Sequence, residues 1–150
     1  MRGRLVCLDA SVVIKYLTAE AAHPEAAELI RSALESDAVL VAPSWAWAEV
    51  GSTLRKKSRT KHLTRHEAQL SWSRFLRLPI EFIDDDVLRR RSWEIADEFG
   101  LPSMYDAAYL ACTETAYAGP DPTRELWTAD RELLRQLGSR RPAYIRELSA

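Results

Sequence analysis

The sequence predicts an α/β fold: a short parallel sheet with helices on both faces. Short apolar runs recur along the chain as strand candidates, and stretches with helical periodicity separate them, which is the pattern of a parallel sheet with crossover helices. The length of 150 residues suits one domain spanning 1–150. A chain of that size hides roughly 70% of its unfolded surface, enough for a core without disulfides or structural metal.

Residues 4–8 open the chain as a buried strand, and Ser11 is placed to cap a short helix over 12–18. His23-Pro24 begins a second helix, with proline in the tolerated first turn and Ala27, Leu29, Ile30, Ala33 and Leu34 on an apolar stripe. "AVLVAP" (38–43) reads as a buried strand, and Pro43-Ser44 starts a helix running to about Lys57. Thr64 and Glu67 form a capping box for the next helix. "PIEFI" (79–83) alternates like a strand. "DDD" (84–86) leads a helix over 87–99 that stops at Gly100. Helix 103–117, strand 125–129, helix 131–137 and a last strand at 143–145 complete the pattern.

Composition excludes several classes. A hydrophobic fraction of 47% with 29% charged residues fits a soluble globular protein. No apolar run approaches the ~20 residues that cross a bilayer, so no membrane association is expected. The N-terminus runs directly into strand 5–8, which predicts no signal peptide. Cys7 and Cys112 lie in apolar runs without CxxC spacing, so buried reduced thiols and a cytoplasmic location are expected. The formal charge of −1 neither demands nor excludes a nucleic-acid partner.

Four acids keep apolar company. Asp9 ends the first strand, Glu49 sits in "WAWAEVGSTL", Asp106 in "MYDAAYLAC", and Asp130 follows "LWTA". Ligands of parallel sheets bind beyond the carboxyl ends of the strands, where Asp9 and Asp130 both fall. Each acid has an ordinary alternative. Asp130 can cap helix 131–137, Asp106 can complement a helix dipole, and Glu49 can pair with Arg55 or Lys56 or face water. Together they describe one acidic pocket. Crowded carboxylates either protonate or are neutralised by a cation. Oxygen ligands without paired His or Cys select Mg²⁺ or Mn²⁺ over Zn²⁺, and that chemistry suits phosphodiester hydrolysis.

The segments "VCLDASVVIKYL" (6–17), "APSWAWAEVGSTLRK" (42–56), "LPSMYDAAYLACTE" (101–114) and "LWTADRELLRQL" (126–137) occur in the order found in PIN-domain nucleases. The sequence resembles that family over nearly its whole length, and most closely its VapC-type toxins of prokaryotic toxin–antitoxin pairs. The resemblance implies a three-layer α/β/α sandwich and a Mg²⁺-dependent endoribonuclease, with Mn²⁺ as the alternative ion. It implies Asp9 and Asp106 as direct ligands, with Glu49 and Asp130 completing the site through waters or a second metal. Ser11 and Thr128 stand where the family places hydroxyls beside the acids. It further implies an RNA substrate, a cognate antitoxin docked on an apolar groove of the early helices, and a homodimer. Glu114 matches a frequent family glutamate but lies about 80° round the helix from Asp106, outside the direct ligands. Where the family often carries Asn after the helix glutamate, this chain has Gly51 and Ser52, leaving Ser52 or Thr53 as the polar neighbour. A PIN-like RNA-processing nuclease without an antitoxin, and a catalytically silent nucleic-acid- or protein-binding module, are the competing readings. A dehalogenase-type phosphatase wants Asp-x-Asp, and here Ala10 and Ser11 follow Asp9. A phosphorelay receiver wants a lysine after a late strand, where this chain has Arg146.

The segment 54–66 holds six Lys or Arg, and Arg55, Lys56, Lys57 and Arg59 are the candidate RNA contacts, although a solvated helix end explains them equally. Five tryptophans predict core or interface more than base stacking. "DDD" is explained by a helix N-terminus, and His23, His62 and His66 lack ligand spacing.

Overall fold

A computed structural model of the chain describes residues 3–18 and 23–149. Five strands form one parallel sheet: β1 (Arg4–Leu8), β2 (Val39–Pro43), β3 (Ile80–Ile83), β4 (Thr123–Thr128) and β5 (Ile145–Glu147), in the spatial order β3-β2-β1-β4-β5. Among the described residues seven α-helices connect them: α1 (Ala10–Leu17), α2 (Pro24–Glu35), α3 (Ala46–Arg59), α4 (Arg65–Leu76), α5 (Asp86–Phe99), α6 (Met104–Thr115) and α7 (Arg131–Leu137). None of them is long and apolar enough to cross a membrane.

β1 is central and buried on both sides. Leu5 and Cys7 join the core under α5, α6 and α7, while Val6 and Leu8 join the core under α1 to α4. The period-2 alternation of a strand therefore feeds both layers of an α/β/α sandwich. The first three strands step one way across the sheet, and the chain then crosses to β4 on the other side of β1. With right-handed crossovers, reversing direction moves the connecting helices to the opposite face. The carboxyl ends of β1 and β4 thus flank the point where the strand order reverses, the position at which open α/β sheets bind ligands. Register fixes those ends side by side: Leu8 pairs with Trp127, and the Asp9 amide donates to the Trp127 carbonyl at 3.1 Å.

Local signals explain most boundaries. Thr64 and Glu67 make both bonds of the capping box, and Gly100 ends α5 at φ +60°, where a side chain would be strained. Asp85 caps α5 by accepting from the Leu88 amide, and Asp84 and Asp86 pair with Arg89 and Arg90, so "DDD" serves a helix start. Both cysteines are buried and free.

Some expectations shift. α1 begins at Ala10 with Asp9 as its cap, so Ser11 lies inside the helix and does not cap it. α3 begins at Ala46, because the Ser44 amide still extends the sheet to the Ile83 carbonyl at 2.9 Å. The last strand is 145–147 rather than 143–145, since a turn from the Pro142 carbonyl to the Ile145 amide precedes it.

Candidate functional site

The four acids come from four different elements and converge on this carboxyl edge. Asp9 follows β1 and caps α1; its Oδ1 accepts weakly from the Ser11 amide at 3.4 Å. Its Oδ2 accepts a 2.7 Å hydrogen bond from the Thr128 hydroxyl at the end of β4. Thr128 Oγ1 in turn accepts from the Asp130 amide at 3.0 Å, and the Ala129 amide donates to Ser11 Oγ at 3.1 Å. The two hydroxyls thus bind the loop after β1 to the loop after β4 and fix the Asp9 carboxylate between them. Asp130 caps α7 through Oδ1 alone, accepting from the Glu132 and Leu133 amides, so Oδ2 takes no part in capping. Glu49 lies in the first turn of α3, and Asp106 in the first turn of α6, behind the Ser103 cap. Neither forms an ion pair among the described residues; Glu49 does not pair with Arg55 or Lys56.

The electrostatics show one coupled group. Burial pushes the Glu49 carboxyl up to about 7, helped by Asp9, Asp106 and Asp130. Burial and the charges of Asp130 and Asp9 push Asp106 up to about 6. Asp9, almost wholly enclosed, is raised chiefly by burial, which its bonds to Thr128 and Ser11 oppose. Burial thus raises all three carboxyls, and the charges of the neighbouring acids add to it.

A recess of about 430 Å³ opens on this edge. Asp9, Ser11, Glu49 and Asp130 line it, together with Thr53 and two lysines, Lys15 and Lys57. Asp106 does not form its wall. Among the described residues, no three His, Cys, Asp or Glu side chains are grouped closely enough to enclose an ion. The donors are carboxylate and hydroxyl oxygens, a set that fits a hard divalent cation such as Mg²⁺ or Mn²⁺.

α3 sorts the basic segment onto different faces. Glu49, Thr53 and Lys57 follow at intervals of four and face the recess, with the Thr53 hydroxyl donating to the Glu49 carbonyl at 2.9 Å. Arg55 and Arg59 line a separate groove between α3 and α4, about 710 Å³ in volume, with Trp47, Ser52, Arg65 and Trp72. Lys56 is exposed and lines neither hollow. Of the two polar neighbours offered for Glu49, Thr53 shares its recess and Ser52 does not. Gly51 lets the Trp72 ring approach: a Cβ there would stand 3.1 Å from Trp72 Cζ3.

Glu114 stays out of the acidic group, held by the Arg91 guanidinium at 2.8 Å and the Tyr144 hydroxyl at 2.6 Å. His23 caps α2, and His62 and His66 lie on the surface. Sequence reasoning missed Lys15, whose only signal is its place four residues after Ser11. Tyr109, beside Asp106 in sequence, packs in the core: it is buried, accepts from the Ala10 amide at 3.3 Å, and lies edge-on to Trp45. Tyr105 is exposed. Trp45, Trp72 and Trp127 are partly buried, while Trp47 and Trp93 are exposed.

Comparison with known proteins adds three findings. The PIN-domain family model matches residues 6–138. No curated protein matches the chain. Solved structures with the same fold include VapBC2 from Rickettsia felis, crystallised bound to a DNA fragment from its promoter (TM-score 0.63, 13% identity, 97% of this chain and 99% of that chain covered). Another is PAE2754 from Pyrobaculum aerophilum (TM-score 0.64, 22% identity, 97% and 84% covered).

Proposed function

Since the chain belongs to the PIN-domain family, we propose that it is a single-domain, metal-dependent endoribonuclease and the toxin of a type II toxin–antitoxin pair, working in the cytoplasm as a homodimer. The observation that carries the nuclease reading is the convergence of Asp9, Glu49, Asp106 and Asp130 from four elements into one coupled group, with two carboxyls raised to about 7 and about 6. The fold shared with VapBC2, and a groove fit for a partner segment, favour the toxin reading.

Asp9 and Asp106 would hold the ion directly, and Glu49 and Asp130 would complete its surroundings. A bound Mg²⁺, or Mn²⁺ in its place, supplies Lewis acidity at the phosphorus centre and for the attacking water. The chain's own residues do the rest. Thr128 fixes Asp9 through Oδ2, and Ser11 fixes the loop that carries Asp130. Glu49 lines the recess with Asp9 and Asp130, and its carboxylate would accept a proton from the attacking water. The antitoxin docks along the groove between α3 and α4, where Trp47 offers an aromatic anchor and Arg55, Arg59 and Arg65 offer charge to an acidic, apolar segment. Arg55 and Arg59 serve RNA only outside the recess.

The test is cleavage of structured RNA by the purified protein with Mg²⁺ or Mn²⁺ and with EDTA. The expected result is cleavage with metal alone, lost in Asp9→Asn and in a folded Asp106→Asn. Cleavage in EDTA, or full activity in Asp9→Asn, overturns the reading.

A further inference from the structure

Three aromatic rings stand in contact beside the acids. Tyr109 of α6 is buried, and its hydroxyl accepts from the Ala10 amide, next to Asp9. The charges of Asp9 and Glu49 both bear on that hydroxyl. Trp45, the residue before α3, lies edge-on to Tyr109 at 5.3 Å between ring centroids, and its carbonyl accepts from the Glu49 amide one turn on. Tyr105 lies edge-on to the same Trp45 at 4.8 Å. Residues four apart share a helix face, so Tyr105 stands one turn from Tyr109 with Trp45 against both. The rings step outward from the loop after β1. Tyr105 is the outermost, 63% exposed, and the chain neighbour of Asp106.

Two of the three have a packing reason to be aromatic, since Trp45 and Tyr109 belong to the core under α5 to α7. Tyr105 does not. An edge-on contact covers little of a ring, so Trp45 holds Tyr105 in place and leaves most of it to water. A ring already fixed loses little freedom when a ligand stacks on it. Among the described residues the other exposed aromatic rings lie elsewhere. Trp47 lines the groove, Phe82 is on the edge strand β3, Trp93 is on α5, and Tyr117 follows the far end of α6.

We propose that Tyr105, positioned by Trp45, stacks a base of one of the two nucleotides joined by the phosphate that is cut, which makes it a substrate-binding residue. The inference rests on reading the four acids as a nuclease site. A phosphate held at the acids carries its two nucleosides on either side, and unpaired bases are held by stacking on aromatic side chains. The contact runs through the uncharged base, so the carboxylates that oppose the phosphates do not oppose it. Stacking reads no hydrogen-bonding pattern, so Tyr105 adds affinity for an unpaired segment rather than for one base.

The experiment is fluorescence anisotropy of a labelled single-stranded RNA of mixed sequence with the full chain in EDTA, over a salt series. Removing one stacking ring should weaken binding by at least about 5-fold. Tyr105→Ala and Tyr105→Leu should both show that loss, and Tyr105→Phe should not. The slope of log K against log salt should stay the same in all three, because no phosphate contact is lost. Mn²⁺ affinity and the thermal melt should also be unchanged. Parent-like binding by Tyr105→Ala or Tyr105→Leu, an equal loss in Tyr105→Phe, a changed slope, a fall in Mn²⁺ affinity, or no RNA binding by the parent protein overturns the proposal. So does full RNA affinity in Tyr105→Ala with an altered mass in light scattering, which would place the ring in a protein interface. Because the RNA readout needs neither metal nor cleavage, its failure is distinct from failure of the nuclease reading, which shows as absent cleavage with metal.

Discussion

On one side of α3, Glu49, Thr53 and Lys57 face a recess of about 430 Å³; on the other, Trp47, Ser52, Arg55 and Arg59 face a groove of about 710 Å³. The groove is the larger hollow and no carboxylate lines it. The recess is smaller and carries Asp9 and Glu49, whose carboxyls burial pushes up. On the proposed nuclease reading, volume does not locate the chemistry. Buried carboxyls close to one another do, because they mark where the fold accepts an electrostatic cost that a ligand removes. The groove has the opposite character, an aromatic and cationic surface suited to a partner. One helix can carry both because residues four apart share a face and residues two apart do not.

Breaking the recess should have the largest effect. Asp9→Asn keeps the cap, since Asn is an equally good N-cap. The change also removes a buried charge, so the protein should stay folded, although the asparagine amide cannot accept from both the Ser11 amide and the Thr128 hydroxyl. It should lower metal-dependent RNA cleavage by at least about 10²-fold, the lower end of what one lost electrostatic contact at a reacting centre costs. Steady-state cleavage assays and a thermal melt decide it; a loss of folding instead would make Asp9 structural.

Thr128→Val tests the support behind Asp9. It removes the 2.7 Å bond to Oδ2 and leaves the Asp130 amide without its hydroxyl partner. Lost support of this kind lowers metal affinity by about 10–100-fold. Mn²⁺ titration should find that loss, while the groove variants below should not show it.

The pH dependence sharpens the contrast further. Glu49 and Asp106 hold protons more tightly folded than unfolded. Their contribution to stability is full below the unfolded pKa and is lost as pH rises through the folded value. For Glu49 that window runs from 4.5 to about 7, and for Asp106 from 3.8 to about 6. The metal-free protein should therefore melt progressively lower across this range, and Mn²⁺ should restore most stability at its upper end. Asp106→Asn should flatten the slope and raise the metal-free Tm at neutral pH.

The smallest effect belongs to the groove. Gly51→Ala gains about 1 kcal/mol of helix preference but must displace the Trp72 ring, and overpacking of that kind costs about 1–3 kcal/mol. A net loss of about 1 kcal/mol in chemical denaturation is expected, with Mn²⁺ affinity unchanged. A fall in metal affinity would mean that the two faces of α3 are not independent.

Much of this was legible from local pattern. The buried run Leu5–Leu8 ending in Asp9, the Thr64/Glu67 box and the stop at Gly100 are written in residues that touch their chain neighbours. The four acids were legible for a related reason: each is a charge in apolar company, which local sequence displays. What was not legible depends on long-range packing. Ser11 looks like a helix cap, but its hydroxyl takes the Ala129 amide, 118 positions away. Lys15 looks like any surface lysine until α1 packs beside α3. The run from Arg55 to Arg59 reads as one basic patch, and only the rotation of α3 about its axis, set by Val50 and Leu54 in the core, sends Lys57 one way and Arg55 the other.

The central claim is that the four acids form one divalent-cation site whose carboxyls hold protons until the ion arrives. Calorimetric titration of the metal-free protein with Mn²⁺ near pH 6.5, in buffers of differing ionisation enthalpy, measures this directly. The account predicts saturable binding accompanied by proton release, with both abolished or strongly weakened in Asp9→Asn. Absent binding, binding without proton release, or equal binding by Asp9→Asn would contradict it.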